Sequence, residues 1–210
     1  MSEYKAHLQV AQLAFERNQQ LLFSNIHFTL RAGQVLQLRG ENGAGKSTLL
    51  RILGAFLEPV AGEICWDKKS VLLNARAYQE SLHYLGHHNG LKANLTIREN
   101  CELYASIAAL TGSPDNVLQQ LALLHLADKP VKLLSAGQAR RAALARLMLD
   151  PRALWLLDEP MTGLDENGRN ILSATLLKHL SHGGMAVIAT HYDLDLHCDM
   201  QTLQLGRAHA

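Results

Sequence analysis

The chain has no run of apolar residues long enough to cross a bilayer. Two of its longest, residues 153–157 and 185–189, fall far short of the ~18 residues a membrane helix needs. The opening Met1-Ser2-Glu3-Tyr4-Lys5 is not followed by the apolar stretch of a secretory leader. Cysteine is scarce. Cys65, Cys101 and Cys198 lie far apart and form no CxxC pair, so they read as free thiols of a reducing compartment rather than as a disulfide framework or metal cluster. An excess of one charge is missing too. A formal net charge of +1 gives no broad capture of nucleic acid or anionic lipid, because a phosphate-backbone binder carries a clear basic excess. No fixed-period repeat or low-complexity tract is present, which argues against a solenoid. These absences predict a soluble chain that reaches a membrane only through partners.

What the chain does have is a core. Its 210 residues are 48% hydrophobic and 19% charged, enough for one domain with a real interior. Residues 35–38 read as a short strand running into a Gly-rich turn, residues 40–45. A helix opens at about Lys46, with Leu49, Leu50, Ile52 and Leu53 as its apolar positions. Residues 154–157 and 185–189 are continuous apolar runs, the pattern of strands buried on both faces of a parallel sheet. Strand, helix and strand in alternation predict an α/β domain with a central sheet.

Residues 96–151 have a different character. Thr96 followed by Glu99 is a capping-box pattern opening a helix through about Ala109. Ser113-Pro114 marks a second start, with proline at the first helical position. A third helix is expected from Gly137 to Leu149, stopped by Pro151. This stretch reads as a helical subdomain, about residues 90–151, inserted into the α/β core.

Gly40-Glu41-Asn42-Gly43-Ala44-Gly45-Lys46-Ser47 fits the P-loop pattern GxxxxGK[ST] at every fixed position. Glycines let backbone N–H groups curl around phosphates, and the helix that follows, through Thr48, adds a field favourable to anions. Lys46 would reach the β- and γ-phosphates of ATP, and the Ser47 hydroxyl would bind Mg²⁺. Chance would produce such a match in about one chain of this length in a hundred, and here it also sits between a predicted strand and helix. Asp158, at the end of a predicted buried strand, suits Mg²⁺. Its neighbour Glu159 suits a general base that polarises the attacking water.

Leu134-Ser135-Ala136-Gly137-Gln138 closely resembles the LSGGQ signature of ATP-binding cassette (ABC) ATPases, with Ala136 in place of the first glycine. Gly163-Leu164-Asp165 resembles the family's D-loop, and His191 its switch histidine. The resemblance covers nearly the whole chain. It implies a P-loop NTPase core of ABC type, with an inserted helical subdomain and an N-terminal antiparallel β portion, as one ATP-binding domain over residues 1–210. It also implies ATP and Mg²⁺ as cofactors and a dimer of such domains when ATP is bound. In that dimer Ser135, Ala136, Gly137 and Gln138 contact the γ-phosphate held by the opposite P-loop, Asp165 crosses the interface, and His191 links γ-phosphate to catalytic water.

Two positions depart from the family pattern. The family's Mg²⁺-ligating glutamine falls nearest His88 in Gly86-His87-His88-Asn89-Gly90-Leu91-Lys92, which points to an altered or weaker contact and to a partner surface near residues 87–100. The adenine-stacking aromatic falls near Phe15 or Arg17, and either can stack on a base. His83 and His87, four apart, would meet on one face of a helix as metal ligands, but no third ligand is evident.

Within the family the chain looks like the ATP-binding subunits of cytochrome c biogenesis systems. The likeness rests on its short length, residues 22–30 before the P-loop, residues 86–92, the variant signature continuing into Ala139-Arg140-Arg141, and an end soon after His191. It implies a bacterial inner-membrane complex, with this chain peripheral on the cytoplasmic side and heme handled by integral membrane subunits on other chains. No heme ligand is expected among the 11 histidines. Another ABC transporter with a different substrate is the first alternative. A soluble ABC ATPase of DNA repair or translation is less consistent with a single cassette of near-neutral charge. A lone P-loop kinase or GTPase would not carry the signature pentapeptide.

Overall fold

The computed structural model describes residues 6–194 and 196–206; the N-terminal pentapeptide read above for a leader lies outside them. In chain order the elements are β1 (His7–Arg17), β2 (Gln20–Arg31), β3 (Val35–Arg39), α1 (Lys46–Leu53), β4 (Ala61–Trp66), β5 (Lys69–Ser70), α2 (Ala75–Gln79), β6 (Leu82–Leu85), α3 (Ile97–Ile107), α4 (Asp115–Gln120), α5 (Ala136–Leu149), β7 (Leu154–Asp158), α6 (Glu166–Ser181), β8 (Met185–Ala189) and β9 (Met200–Gln204). Short 3₁₀ turns join several of them. The chain divides into two compact units, residues 1–86, 152–159 and 177–210 in one, and residues 87–151 and 160–176 in the other. Among the described residues no helix is long and apolar enough to cross a membrane.

The first unit holds two sheets. One is antiparallel, in the order β2-β1-β4-β5; the other has five strands in the order β6-β7-β8-β3-β9. Every pairing in the second sheet is parallel, and β7 and β8 are buried along their whole length. That burial is why both read as unbroken apolar runs. Helix α1 contributes Leu49, Leu50, Ile52 and Leu53, all at 0% exposure, to a core shared with Leu36 and Leu38 of β3, Leu154 and Leu156 of β7, and Leu8, Val10 and Leu13 of β1. Removing this much apolar surface from water is the main stabilising term for the unit. His83 lies on strand β6 and not on a helix. Strand β6 ends at Leu85, so His83 and His87 do not share the helix on which two histidines four apart could ligate a metal.

The second unit is helical. Thr96 Oγ1 accepts from Glu99 N at 3.1 Å, and Glu99 Oε2 accepts from Thr96 N at 2.7 Å, closing the expected capping box at the start of α3. Helix α4 begins at Asp115 with Pro114 as its cap residue, one position later than the sequence suggests. Ser113 Oγ accepts from Asp115 N there, at 3.2 Å. Helix α5 begins one residue early, at Ala136, and runs to Leu149 as expected. Arg98 ties α3 to its surroundings, pairing with Asp115 and with Asp128.

Candidate nucleotide site

The P-loop follows β3 directly and closes on the first turn of α1. Gly40 has φ +149°, and a Cβ there would stand 2.4 Å from the Leu205 carbonyl oxygen. Gly45 caps α1 with φ +97°, and a Cβ there would strike the Leu22 and Phe23 side chains at 2.9–3.0 Å. Both positions thus need glycine for backbone conformation and for space. No side chain caps α1, and its first turn carries no acidic residue. The positive end of that helix is left to face an anion. Lys46 Nζ donates to the Gly40 carbonyl at 2.7 Å and to the Glu41 carbonyl at 3.1 Å, so the ammonium folds back over the loop. Glu41, Asn42 and Gly43 are exposed, Ala44 is buried, and Ser47 and Thr48 are half-buried in the first turn of α1.

The remaining groups of this unit leave the same edge of the parallel sheet. Asp158 ends β7 at 2% exposure, in register with Ala189, the last residue of β8. Ala189 in turn pairs with Leu38, two residues before the P-loop begins. The carboxyl ends of neighbouring parallel strands are where open α/β sheets bind ligands. Glu159 adopts φ +47° while its N–H donates to the Ala189 carbonyl at 2.8 Å. A left-handed conformation at a non-glycine residue is uncommon, and here it turns the chain sharply as the strand ends. His191 Nδ1 lies 3.0 Å from Glu159 Oε2, with the histidine ring exposed and packed on Tyr192 at 4.3 Å between centroids.

The hairpin of β1 and β2 adjoins the P-loop through the Leu22 and Phe23 contacts at Gly45. Phe15 is half-buried, opposite Phe23 in register and 6.2 Å from it between ring centroids. Arg17 is exposed at the end of β1.

In the helical unit, Ser135 caps α5: its Oγ accepts from Gln138 N at 3.2 Å, and Gln138 Oε1 accepts from Ser135 N at 3.0 Å. Ala136 is exposed at the first helical position. A Cβ on Gly137, by contrast, would stand 2.7 Å from the Gly163 carbonyl oxygen. The signature's second glycine is sterically required while its first tolerates alanine. Asp165 Oδ1 accepts from Gly168 N at 2.8 Å and so caps the start of α6. His88 is exposed on the segment that follows β6. Asn100, at 1% exposure, fastens that segment by accepting from Lys92 N and donating to the carbonyls of Lys92 and Thr96.

Three contacts were not foreseen from the sequence. Gln37, wholly buried in β3, donates from Nε2 to the Tyr192 carbonyl at 3.0 Å. Arg39 pairs with Asp193. Arg140, at 5% exposure, donates from Nε to the Pro160 carbonyl at 3.3 Å and from Nη1 to Asn89 Oδ1 at 3.1 Å. The available signal for Gln37 was a lone amide inside the apolar strand Val-Leu-Gln-Leu.

A glycine-built loop at a bare helix start, with a buried carboxylate and a carboxylate–imidazole pair on the same sheet edge, is the arrangement that suits a nucleotide-hydrolysing P-loop protein. The chain matches the ABC transporter family over residues 23–162 and belongs to it, as an ATPase. Among curated relatives it is 44% identical to the cytochrome c biogenesis ATP-binding export protein CcmA of Cupriavidus pinatubonensis, covering 97% of this chain and 90% of that one. It is 42% identical to the protein of that name from Escherichia coli O157:H7, over 90% and 91% of the two chains. Among solved structures, a putative ABC transporter ATP-binding protein from Pyrococcus furiosus superposes with TM-score 0.81 at 22% identity, over 95% and 97% of the chains. The cbiO1 protein of Clostridium perfringens, part of the ABC transporter complex cbiONQ, superposes with TM-score 0.75 at 26% identity, over 95% and 85%.

Proposed function

We propose that residues 1–210 act as one ATP-binding domain, the ATP-hydrolysing subunit of a cytochrome c biogenesis export complex. The observation that carries the chemistry is the meeting of Glu159 with His191, 3.0 Å apart, beside a P-loop on the same edge of the sheet. The backbone of residues 40–48 receives the phosphates and Lys46 neutralises the β- and γ-oxygens. Glu159 takes the proton of the attacking water, and His191 holds that carboxylate and reaches the γ-phosphate.

Ser47 and Asp158 supply a hydroxyl and a buried carboxylate, the hard oxygen donors that suit Mg²⁺. The ion would offset charge on the phosphate oxygens. His88 offers nitrogen where a carbonyl oxygen would suit that ion better, so its role is in partner contact. Arg17 takes the adenine, because the Phe15 ring already packs on Phe23.

Ser135, Ala136, Gly137 and Gln138 serve the ATP bound by a second copy, and Asp165 lies in the interface between copies. The membrane-spanning subunits are separate chains, and this subunit lies on the cytoplasmic face of a bacterial inner membrane. Support for the particular pathway comes from relatives above 40% identity over nine-tenths of the chain, which carry that name. Pull-down of the chain from gently solubilised membranes tests it. Recovery of cytochrome c maturation membrane subunits is expected. Recovery of another permease instead would keep the ATPase and reject the pathway.

A further inference from the structure

We propose that Gln37 is a positioning residue that holds His191 against Glu159. The inference rests on the roles given above to those two residues.

Gln37 sits in the centre of β3, between Leu36 and Leu38, with its register partner Ile188 on one side and Thr202 on the other. Its side chain is fully buried. Burying an amide in the middle of an apolar sheet is costly unless its hydrogen bonds are met, and here only one end is met. Nε2 donates to the Tyr192 carbonyl, while Oε1 is buried without a hydrogen-bond partner among the described residues. An apolar residue of the same size would pack there without that cost. Packing therefore does not account for the amide, and its one bond does.

That bond lands on the segment that carries His191. The His191 ring is mostly exposed, 63% by side-chain area, so burial does not fix it. It is held through its neighbours instead. Tyr192 packs on the ring, the Tyr192 N–H donates to Thr190 Oγ1 at 3.1 Å, and its carbonyl accepts from Gln37. Arg39, also on β3, pairs with Asp193 on the same segment. The strand that delivers the P-loop thus grips the segment that delivers the histidine. Misplacing such a group by about 1 Å is enough to cost up to ~100-fold in rate.

The test compares wild type with Gln37→Met, whose side chain has similar volume and no amide, in the full chain assembled with its membrane subunits. The melting temperature should not fall, and ATP affinity should stay within about twofold. Amide exchange at residues 190–193 should accelerate, and kcat should drop about tenfold or more. In a His191→Ala background the same substitution should cost nothing further. A kcat within about twofold of wild type, an equal loss in the His191→Ala background, or unchanged exchange at residues 190–193 would each overturn the proposal. If wild type itself did not hydrolyse ATP, the functional reading would fail, and the exchange measurement alone would still decide the clamp. Should Gln37→Met not fold, Gln37→Leu removes the same amide; faster exchange at residues 190–193 and lower kcat are expected, and wild-type values of either would overturn the proposal.

Discussion

Ser135 accepts the Gln138 N–H on its hydroxyl oxygen, and Gln138 reaches back to the Ser135 N–H. The hydroxyl acts as acceptor in this cap, so its own proton stays available to an anion. One residue can therefore start α5 and also bind phosphate. Two variants separate these roles. Ser135→Ala should destabilise the protein by about 1 kcal/mol and weaken ATP-driven pairing of subunits. Ser135→Asp should keep the cap and the melting temperature but abolish pairing, because it puts a carboxylate against the phosphate. Melting curves beside sedimentation with ATP decide; pairing by Ser135→Asp at wild-type strength would remove Ser135 from the site.

Lys46 and Glu159 should fail differently. Lys46→Ala removes the cation folded over the P-loop and should weaken nucleotide affinity at least about tenfold. Glu159→Gln should bind ATP normally, lower kcat by two or more orders of magnitude, roughly, and accumulate the ATP-bound dimer. Equilibrium binding and single-turnover hydrolysis read the two effects separately. Wild-type turnover by Glu159→Gln would show that another group is the base.

Stability should fall in mild acid because of His179. Its ring lies flat on Trp155 at 3.9 Å, and Nε2 is 3.1 Å from the Met185 carbonyl. Burial lowers its pKa from 6.5 to about 4, the Met185 contact opposes that, and His83 and His182 add to it. The unfolded chain then binds a proton that the folded chain refuses. The contribution is fully present above pH 6.5 and is lost as pH falls through 4. Its upper bound is on the order of 3 kcal/mol. Denaturant melts across that range should show a steeper acid loss for wild type than for His179→Phe, which keeps a flat ring without the proton. Parallel slopes would exclude His179 as the source.

Arg17 and Phe15 can be told apart by ligand. Arg17→Ala should weaken ATP several-fold, leave inorganic triphosphate unaffected, and leave the melting temperature unchanged, as expected for an exposed stacking cation worth about 1 kcal/mol. Phe15→Ala should lower the melting temperature, since its ring packs on Phe23. Isothermal titration with both ligands is the measurement. Equal loss for ATP and triphosphate with Arg17→Ala would place the adenine elsewhere.

Much of the parallel sheet was legible because its strands are buried on both faces. Residues 154–157 and 185–189 carry no polar residue to confuse the period, and both lie in strands. The Thr96–Glu99 capping box was legible for a related reason, since both halves lie within four residues of chain. The same pattern at Ser135 and Gln138 is equally local and coincides with the signature. The spacing of His83 and His87 could not place them on a helix or a strand, because two histidines four apart carry no information about pitch. Register decided it: His83 pairs with Trp155 in a parallel ladder, and such partners are remote in sequence.

The sequence by itself determined the glycine-rich loop between strand and helix, the acidic pair at a strand end and the family, because each is a local pattern carried by adjacent residues. Only the tertiary structure decided which groups meet. It set Glu159 against His191, 32 residues apart in the chain, and Gln37 against Tyr192, 155 apart. It also showed why Gly137 must lack a side chain while Ala136 need not. The physical reason is common to all three. A short parallel strand fixes its neighbours through hydrogen bonds between distant segments, and a close backbone approach is a property of the packed chain, so neither leaves a periodic trace in the sequence.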